Sequence, residues 1–251
     1  MRRAIKPFFT DDAITIYNGE ACAVMAQLET GSFDALITDP PYSSGGQFRG
    51  DRAADPKAKY VSSNSGNQIA LGTFNGDTRS ELGHLYWCAA WIGEACRLVK
   101  PGGILGLFSD WRQITATVLA LQAGGVVWRG ILPWHKPASR PTQGRFANSC
   151  EYLVWGTNGA RALDALGGRA LPGLVTANPP RNRQHITQKP VEVMAAILKV
   201  VPEGGVVLDP FAGSGTTGRA AKDTGRRAVL VEMDRNYCEI AAKRLAQKVL
   251  L

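Results

Sequence analysis

Val206-Val207-Leu208-Asp209-Pro210-Phe211-Ala212-Gly213-Ser214-Gly215-Thr216-Thr217-Gly218 reads as a strand, a glycine turn and the start of a helix. The apolar run suits a buried strand, and the glycines permit a sharp turn whose backbone can approach a ligand closely. Gly213-Ser214-Gly215-Thr216-Thr217-Gly218 therefore matches Gly-x-Gly-x-x-Gly in the strand-to-helix context that gives the pattern meaning. A helix opened this way offers unpaired N–H groups to an anion. Glu232, at the end of the next strand-like run, is placed to accept hydrogen bonds from ribose hydroxyls. A turn that merely packs strand on helix is one alternative, and a dinucleotide is a rival ligand. Asp209 weighs against the dinucleotide, because a carboxylate at the strand tip repels a pyrophosphate but suits a cationic amine.

Working outward, strand-like and helix-like segments alternate along the chain. Strands are expected at Ile14–Tyr17, up to Thr38, at Ile104–Phe108, Val126–Leu132, Glu151–Trp155, Val206–Leu208 and Ala228–Val231. Helices are expected at Ala21–Leu28, Glu81–Val99, Arg112–Ala123, Pro190–Val201, Thr217–Thr224 and Asn236–Lys248. This alternation implies an α/β fold with a mostly parallel sheet covered by helices on both faces. At 251 residues and 45% hydrophobic, the chain is expected to be one catalytic domain, residues 1–251, with loop insertions at 43–79 and 156–188. Those two irregular stretches, rich in Gly, Ser, Asn and Arg, are the expected regions for substrate recognition.

A net charge of +8 favours a polyanionic partner, because Lys and Arg neutralise phosphates and release counterions. Five cysteines without Cys-x-x-Cys spacing argue against a zinc site or a disulfide framework, so no metal is expected. No apolar stretch approaches membrane-spanning length and no leader is visible, so a cytoplasmic protein is expected.

The second informative string is Asp39-Pro40-Pro41-Tyr42, which follows the apolar run Ala35-Leu36-Ile37. Chance supplies this tetrapeptide in on the order of one in a thousand chains of this length. An exocyclic amine on a nucleobase is a poor nucleophile, because its lone pair is delocalised into the ring. Asp39 can accept one N–H, and the Pro40 carbonyl, held by two consecutive prolines, can accept the other. Engaging both hydrogens favours a tetrahedral nitrogen with its lone pair aimed at an electrophile. Tyr42 offers an aromatic face to an extruded base.

With both strings in place, the chain resembles the S-adenosylmethionine-dependent DNA amino-methyltransferases. The Asp-Pro-Pro-Tyr string precedes the glycine loop, a circularly permuted order that matches the beta class of that family. Gly19-Glu20, Leu98-Val99-Lys100-Pro101-Gly102-Gly103, Trp134-His135-Lys136 and His185-Ile186-Thr187-Gln188-Lys189-Pro190 extend the resemblance over most of the chain. It implies a Rossmann-like, seven-stranded sheet in which the last strand pairs beside Ile14–Tyr17. It implies Asp39, Pro40, Pro41 and Tyr42 as catalytic residues and S-adenosyl-L-methionine as cofactor. Asp209, Phe211, Gly213, Ser214, Gly215, Thr216, Thr217 and Glu232 are then expected cofactor contacts, as are Thr187, Gln188, Lys189 and Glu20. Ile186 stands where the family usually has Pro, and Glu20 where it usually has Asp.

Arg49, Arg52, Arg181 and Arg183 in the two irregular stretches, with Arg140 and Arg145 in the segment between the strands expected at Val126–Leu132 and Glu151–Trp155, are candidate contacts to double-stranded DNA. Trp134 is expected to pack. The leading expectation is methylation of adenine N6 in a specific duplex site after base flipping, since in the family Asp leads the string more often for adenine and Ser for cytosine. Cytosine N4 is the alternative within the class. A catalytically silent DNA-binding protein and a nicotinamide-dependent oxidoreductase are the readings from other classes. Related enzymes are often homodimers, which extends the same expectation to this chain.

Overall fold

The computed structural model describes residues 5–43, 79–139, 143–144, 146–180 and 188–247. Its central feature is one sheet, built from β1 (Phe9–Thr10), β2 (Ile14–Asn18), β3 (Phe33–Thr38), β4 (Val99–Ser109), β5 (Val127–His135), β6 (Cys150–Thr157), β7 (Val175–Thr176), β8 (Val206–Asp209) and β9 (Arg227–Glu232). The spatial order is β1-β2-β9-β8-β3-β4-β6-β5-β7. Neighbours from β2 through β4 are parallel, whereas β6 runs antiparallel to both β4 and β5. The expected pairing of the last strand beside the N-terminal one is present, with Ile14 opposite Ala228 and Asn18 opposite Glu232.

Among the described residues, six helices cover the two faces: α1 (Ala21–Met25), α2 (Glu81–Leu98), α3 (Ile114–Ala123), α4 (Val191–Leu198), α5 (Thr216–Asp223) and α6 (Arg235–Leu245). Met25, Trp91, Leu98 and Leu121 of α1, α2 and α3 join Leu36 and Leu105 in one buried cluster. Val193, Ala221 and Leu245 of α4, α5 and α6 join Ile16, Ile37 and Val207 in the other. Successive side chains of β3 thus serve opposite faces, the period-two pattern of a strand buried on both sides. Burying each such Leu, Ile or Val stabilises the sheet by about 1.5–3 kcal/mol. Among the described residues, no helix is long and apolar enough to cross a membrane.

The element boundaries differ from the sequence reading in instructive places. Lys100-Pro101-Gly102-Gly103 ends α2 as expected, yet β4 begins directly at Val99 and runs through it. Val99 pairs with Phe33, and the register then shifts so that Ile104 pairs with Ala35, which leaves the Pro-Gly-Gly segment as a bulge. Gly103 is required there, since a Cβ would stand 2.8 Å from the Asp34 carbonyl oxygen. The short strands β1 and β7 were not expected. Each has two residues, too few to carry an alternating pattern. Ser80 caps α2 by accepting from the Gly83 N–H, and Asp234 caps α6 through the Asn236 N–H.

The two crossovers that diverge from the sheet centre define the functional end. From β8 the chain passes through α5 to β9 on one side, and from β3 through α2 to β4 on the other. The strand order therefore reverses between β8 and β3. In open α/β sheets, the crevice beyond the strand tips at such a switch point is where ligands bind.

Candidate functional site

Both sequence strings emerge at that switch point, one from each strand. Leu36 pairs with Leu208, so Asp39 and Asp209 leave neighbouring strand ends. The tips are tied by a hydrogen bond from Thr38 Oγ1 to Asp209 Oδ1 at 2.6 Å, between residues 171 positions apart in the chain. Asp209 Oδ1 also accepts from the Phe211 N–H at 3.1 Å, and Oδ2 from Thr217 Oγ1 at 2.5 Å. Its carboxylate thus joins β3, β8 and α5 from inside the protein. Burial pushes the Asp209 carboxyl up to about 6, against the pull of the Thr217, Thr38 and Phe211 donors. Sequence reasoning gave Asp209 to a cationic amine; the structure gives it an internal pinning role as well.

The glycine loop follows immediately. Gly213 has φ 51° and Gly215, the N-cap of α5, has φ 79°, both in the left-handed region that glycine adopts without a Cβ clash. The Gly213 N–H donates to Glu232 Oε2 and the Asp234 N–H to Glu232 Oε1, each at 2.8 Å. The Gly19 N–H donates to the Glu232 carbonyl at 3.0 Å. The Asn18 carboxamide bonds the carbonyls of Glu232 and Met233, both at 3.0 Å. The Glu20 carboxylate caps α1 through the Ala23 N–H at 2.8 Å. Gly213, Glu232 and Gly19-Glu20 are thereby gathered at one end of β8, β9 and β2.

The rest of the string turns inward. A Cβ on Gly215 would stand 3.0 Å from Ala241 Cβ, so the missing side chain there serves the packing of α6. Ser214, Thr216 and Thr217 are buried, and Arg244 Nη1 reaches the Ser214 carbonyl at 3.3 Å and Thr216 Oγ1 at 3.2 Å. The half-buried Phe211 ring packs on Trp87 and Trp91 of α2, with centroids 5.5 and 5.1 Å apart. The Arg79 guanidinium lies over the Trp87 ring, 4.1 Å from its centre.

Around Asp39 the site is charged. Asp39 Oδ2 meets Lys189 Nζ at 2.5 Å, and Asp39 Oδ1 accepts from the Tyr42 hydroxyl at 2.6 Å. Lys189 stands in the turn that opens α4 and is 5% exposed, whereas the Asp39 side chain keeps 22% of its surface open. Lys189 Nζ also contacts Glu151 Oε2 at 3.1 Å, and Glu151 Oε1 accepts from Lys136 Nζ at 3.0 Å. Burial raises the Asp39 carboxyl above its ordinary range, with the Lys189 charge opposing and the Glu151 charge adding. Burial works against the Lys189 ammonium too, but Asp39 and Glu151 outweigh it and hold it above its usual value. Burial and the two carboxylates push the Tyr42 phenol up, so its hydroxyl remains a donor. One residue further on, buried Ser43 adopts φ 52°, a left-handed backbone uncommon without glycine. The Gln113 carboxamide holds its carbonyl at 3.1 Å.

Glu151 carries a testable consequence. Burial alone would raise its carboxyl, yet Lys189 and Lys136 overcome this and hold it at about 2, below the ordinary 4.5. A depressed carboxylate stabilises the fold above its unfolded-state pKa, and the benefit is lost as pH falls toward the folded-state value. Glu151→Gln is expected to cost about 3 kcal/mol at neutral pH, with the wild-type and variant unfolding curves drawing together as pH falls below 4.5 and meeting only near the folded-state value of about 2. Urea unfolding at a series of pH values measures this, and parallel curves would contradict it.

Sequence reasoning did not single out Glu151, Thr38, Ser43 or Gln113. Glu151 opens an otherwise apolar strand, which was its one visible signal. Trp134 packs as expected, buried with its indole N–H on the Ala177 carbonyl at 2.9 Å. Gln188 lies beside Lys189 and is half-buried. Thr187 and the candidate DNA contacts Arg49, Arg52, Arg140, Arg145, Arg181 and Arg183 lie outside the described residues. Among the described residues, no group of three His, Cys, Asp or Glu side chains gathers to hold a metal ion.

Comparison with known proteins places this geometry in context. Residues 33–166 and 170–243 match the N6/N4 methyltransferase family pattern, described as DNA methylase. The type II methyltransferase M2.DpnII of Streptococcus pneumoniae is 25% identical over 260 residues, covering 96% of this chain and 92% of that protein. The putative methylase YubD of Escherichia coli K12 is 27% identical over 230 residues, covering 91% of this chain and 88% of that one. The crystal structure of the M1.HpyAVI–SAM complex matches with a TM-score of 0.65 at 24% identity, over 93% of this chain and all of that one (100%). The cytosine-N4-specific PvuII DNA methyltransferase matches with a TM-score of 0.73 at 14% identity, over 98% of this chain and 91% of the other. These structural matches agree with the Rossmann-like methyltransferase sheet expected from the sequence.

Proposed function

The chain belongs to the DNA methylase family of N4/N6 methyltransferases, which use S-adenosyl-L-methionine, and from that premise we propose that it methylates adenine N6 at a specific site in duplex DNA. The observation that carries this reading is the partly open Asp39 carboxylate at the β3 tip, bonded through Thr38 and Asp209 to the strand that delivers the glycine loop. A donor pocket and an acceptor pocket then share one crevice.

The residues present fit the cofactor. The left-handed Gly213 turn, the Glu232 carboxylate and Gly19-Glu20 form the wall proposed to hold the adenosine, with Glu232 accepting from ribose hydroxyls. The bound cofactor supplies an electrophilic methyl carried on a sulfonium. On the acceptor side, Asp39 accepts one N–H of the extruded base and the Pro40 carbonyl accepts the other, while the Tyr42 ring stacks on the base. Held by Asp39 and the Pro40 carbonyl, the amine lone pair would be freed from the ring and aimed at the methyl, so that an N–C bond would form as the methyl–sulfur bond broke. The surplus proton on nitrogen leaves to Asp39 or to water. The cationic donor and the carboxylates of this crevice are electrostatically matched.

Asp at the head of the string favours adenine over cytosine, by the family tendency. Mass analysis of nucleosides from DNA treated with the protein and cofactor tests this directly: N6-methyladenine is expected, and N4-methylcytosine alone would overturn it. Residues 43–79 and 156–188 are proposed as the DNA-reading insertions of a single catalytic domain. Replacing Arg181 or Arg183 by Ala is expected to weaken DNA binding across sequences and to lower the slope of log affinity against log salt by about one per residue. An unchanged slope would remove them as phosphate contacts. A homodimer is the proposed assembly, and sedimentation showing only the 27.0 kDa species would exclude it.

A further inference from the structure

Four charges of alternating sign are linked by successive ion pairs around Asp39. Asp39, Lys189, Glu151 and Lys136 are joined by contacts of 2.5, 3.1 and 3.0 Å. They come from the β3 tip, the turn before α4, the start of β6 and the residue after β5. The set is neutral as a whole, but the Asp39–Lys189 pair is not isolated from the rest. If Lys189 faced Asp39 alone, its full charge would withdraw electron density from the oxygen that must accept the amine N–H. Glu151 opposes that effect by pairing with the same ammonium at 3.1 Å. The Tyr42 hydroxyl, 2.6 Å from Asp39 and 3.3 Å from Glu151, ties the two carboxylates from a second direction.

Resting on the reading of Asp39 as acceptor for the amine, we infer that Glu151 is a positioning residue for methyl transfer: anchored by Lys136, it shares the Lys189 ammonium so that Asp39 stays oriented and strong as a hydrogen-bond acceptor. The groups facing Asp39 are Lys189, Tyr42 and Glu151, with Asp209 behind Thr38 on β8 and Asp110 facing Tyr42 from the end of β4. Glu151 is not a proton relay. Its carboxyl is held at about 2, so at neutral pH it takes no proton from Tyr42 or Asp39.

Two substitutions, one at Glu151 and one at its anchor Lys136, shift Asp39 in opposite directions, which separates positioning from general damage. Glu151→Gln removes a negative charge and leaves two ammoniums near Asp39, so the Asp39 pKa falls. Lys136→Gln removes a positive charge and leaves Glu151 less compensated, so the Asp39 pKa rises. The experiment is single-turnover transfer of a tritiated methyl to unmodified DNA across pH, with S-adenosylhomocysteine affinity measured by calorimetry. Glu151→Gln is expected to slow transfer ten- to hundredfold and to move the acid limb down by about one pH unit. Glu151→Asp is expected to restore part of the rate. Lys136→Gln is expected to move the acid limb up with a smaller loss of rate, and it carries the test alone if Glu151→Gln does not fold. Cofactor affinity stays at the wild-type value in each. Acid limbs that do not move, or that move the same way in both variants, overturn the inference. Asp39→Asn, run alongside, distinguishes the levels of failure: wild-type turnover there sinks the reading of Asp39 itself, whereas an inert Asp39→Asn with an unshifted Glu151→Gln sinks only the role of Glu151.

Discussion

Asp39→Ala abolishes methyl transfer while S-adenosylhomocysteine binds as it does to the wild type. The expected loss is at least a hundredfold to a thousandfold, the range seen when one preorganised hydrogen-bonding group is removed from a transition state. The effect is confined to chemistry because of where Asp39 sits. Its carboxylate bonds Lys189 and Tyr42 on the acceptor side. The glycine loop and Glu232 are held by a separate set of bonds. Lys189 keeps Glu151 as a counter-ion at 3.1 Å, so the substitution does not strand a buried cation. Tritium transfer and calorimetry measured on the same preparation check both halves. Turnover near the wild-type rate would remove Asp39 from the mechanism.

Gly213→Val has the complementary outcome, in which cofactor affinity falls at least tenfold and transfer fails for want of donor. A β-branched residue at φ 51° costs about 1–2 kcal/mol in backbone strain alone. Relieving that strain rotates the peptide and breaks the Gly213 N–H bond to Glu232, so the loop and the proposed ribose acceptor are displaced together. The sheet is expected to survive, because the buried strands β8 and β3 pack independently of this turn. Thermal shift with S-adenosylhomocysteine reads the result: the unliganded melting temperature changes little and the ligand-induced rise disappears. A full ligand-induced rise would mean that the loop is not where the cofactor binds.

The sheet was largely legible in the sequence because its strands are buried on both faces and read as apolar runs ended by Gly, Pro or Asp. Val206–Asp209 and Phe33–Thr38 are of this kind, and the site follows from their adjacency. The boundary at Val99 was not legible, since Pro101 and two glycines signal an end to any element, and only the register shift against β3 lets the strand continue through them. The two strings each mark a strand end, and the structure brings those two ends side by side. What they could not convey was division of labour within each string. Asp209, Thr216 and Thr217 face inward to bind the protein to itself, and a linear motif carries no mark of which side chains turn which way. Glu151 was hidden for a different reason. Its partners, Lys136 and Lys189, lie 15 and 38 positions along the chain, and their meeting depends on how β5, β6 and the α4 turn are stacked.

The bond between Thr38 and Asp209 spans two thirds of the polypeptide, and that distance has a biological consequence. A nascent chain that stops before residue 206 contains the Asp39 side of the proposed crevice and lacks the strand, turn and helix on its other side. The last strands, β8 and β9, slot between the first ones, β2 and β3, so the crevice is assembled only when both ends of the chain are in place.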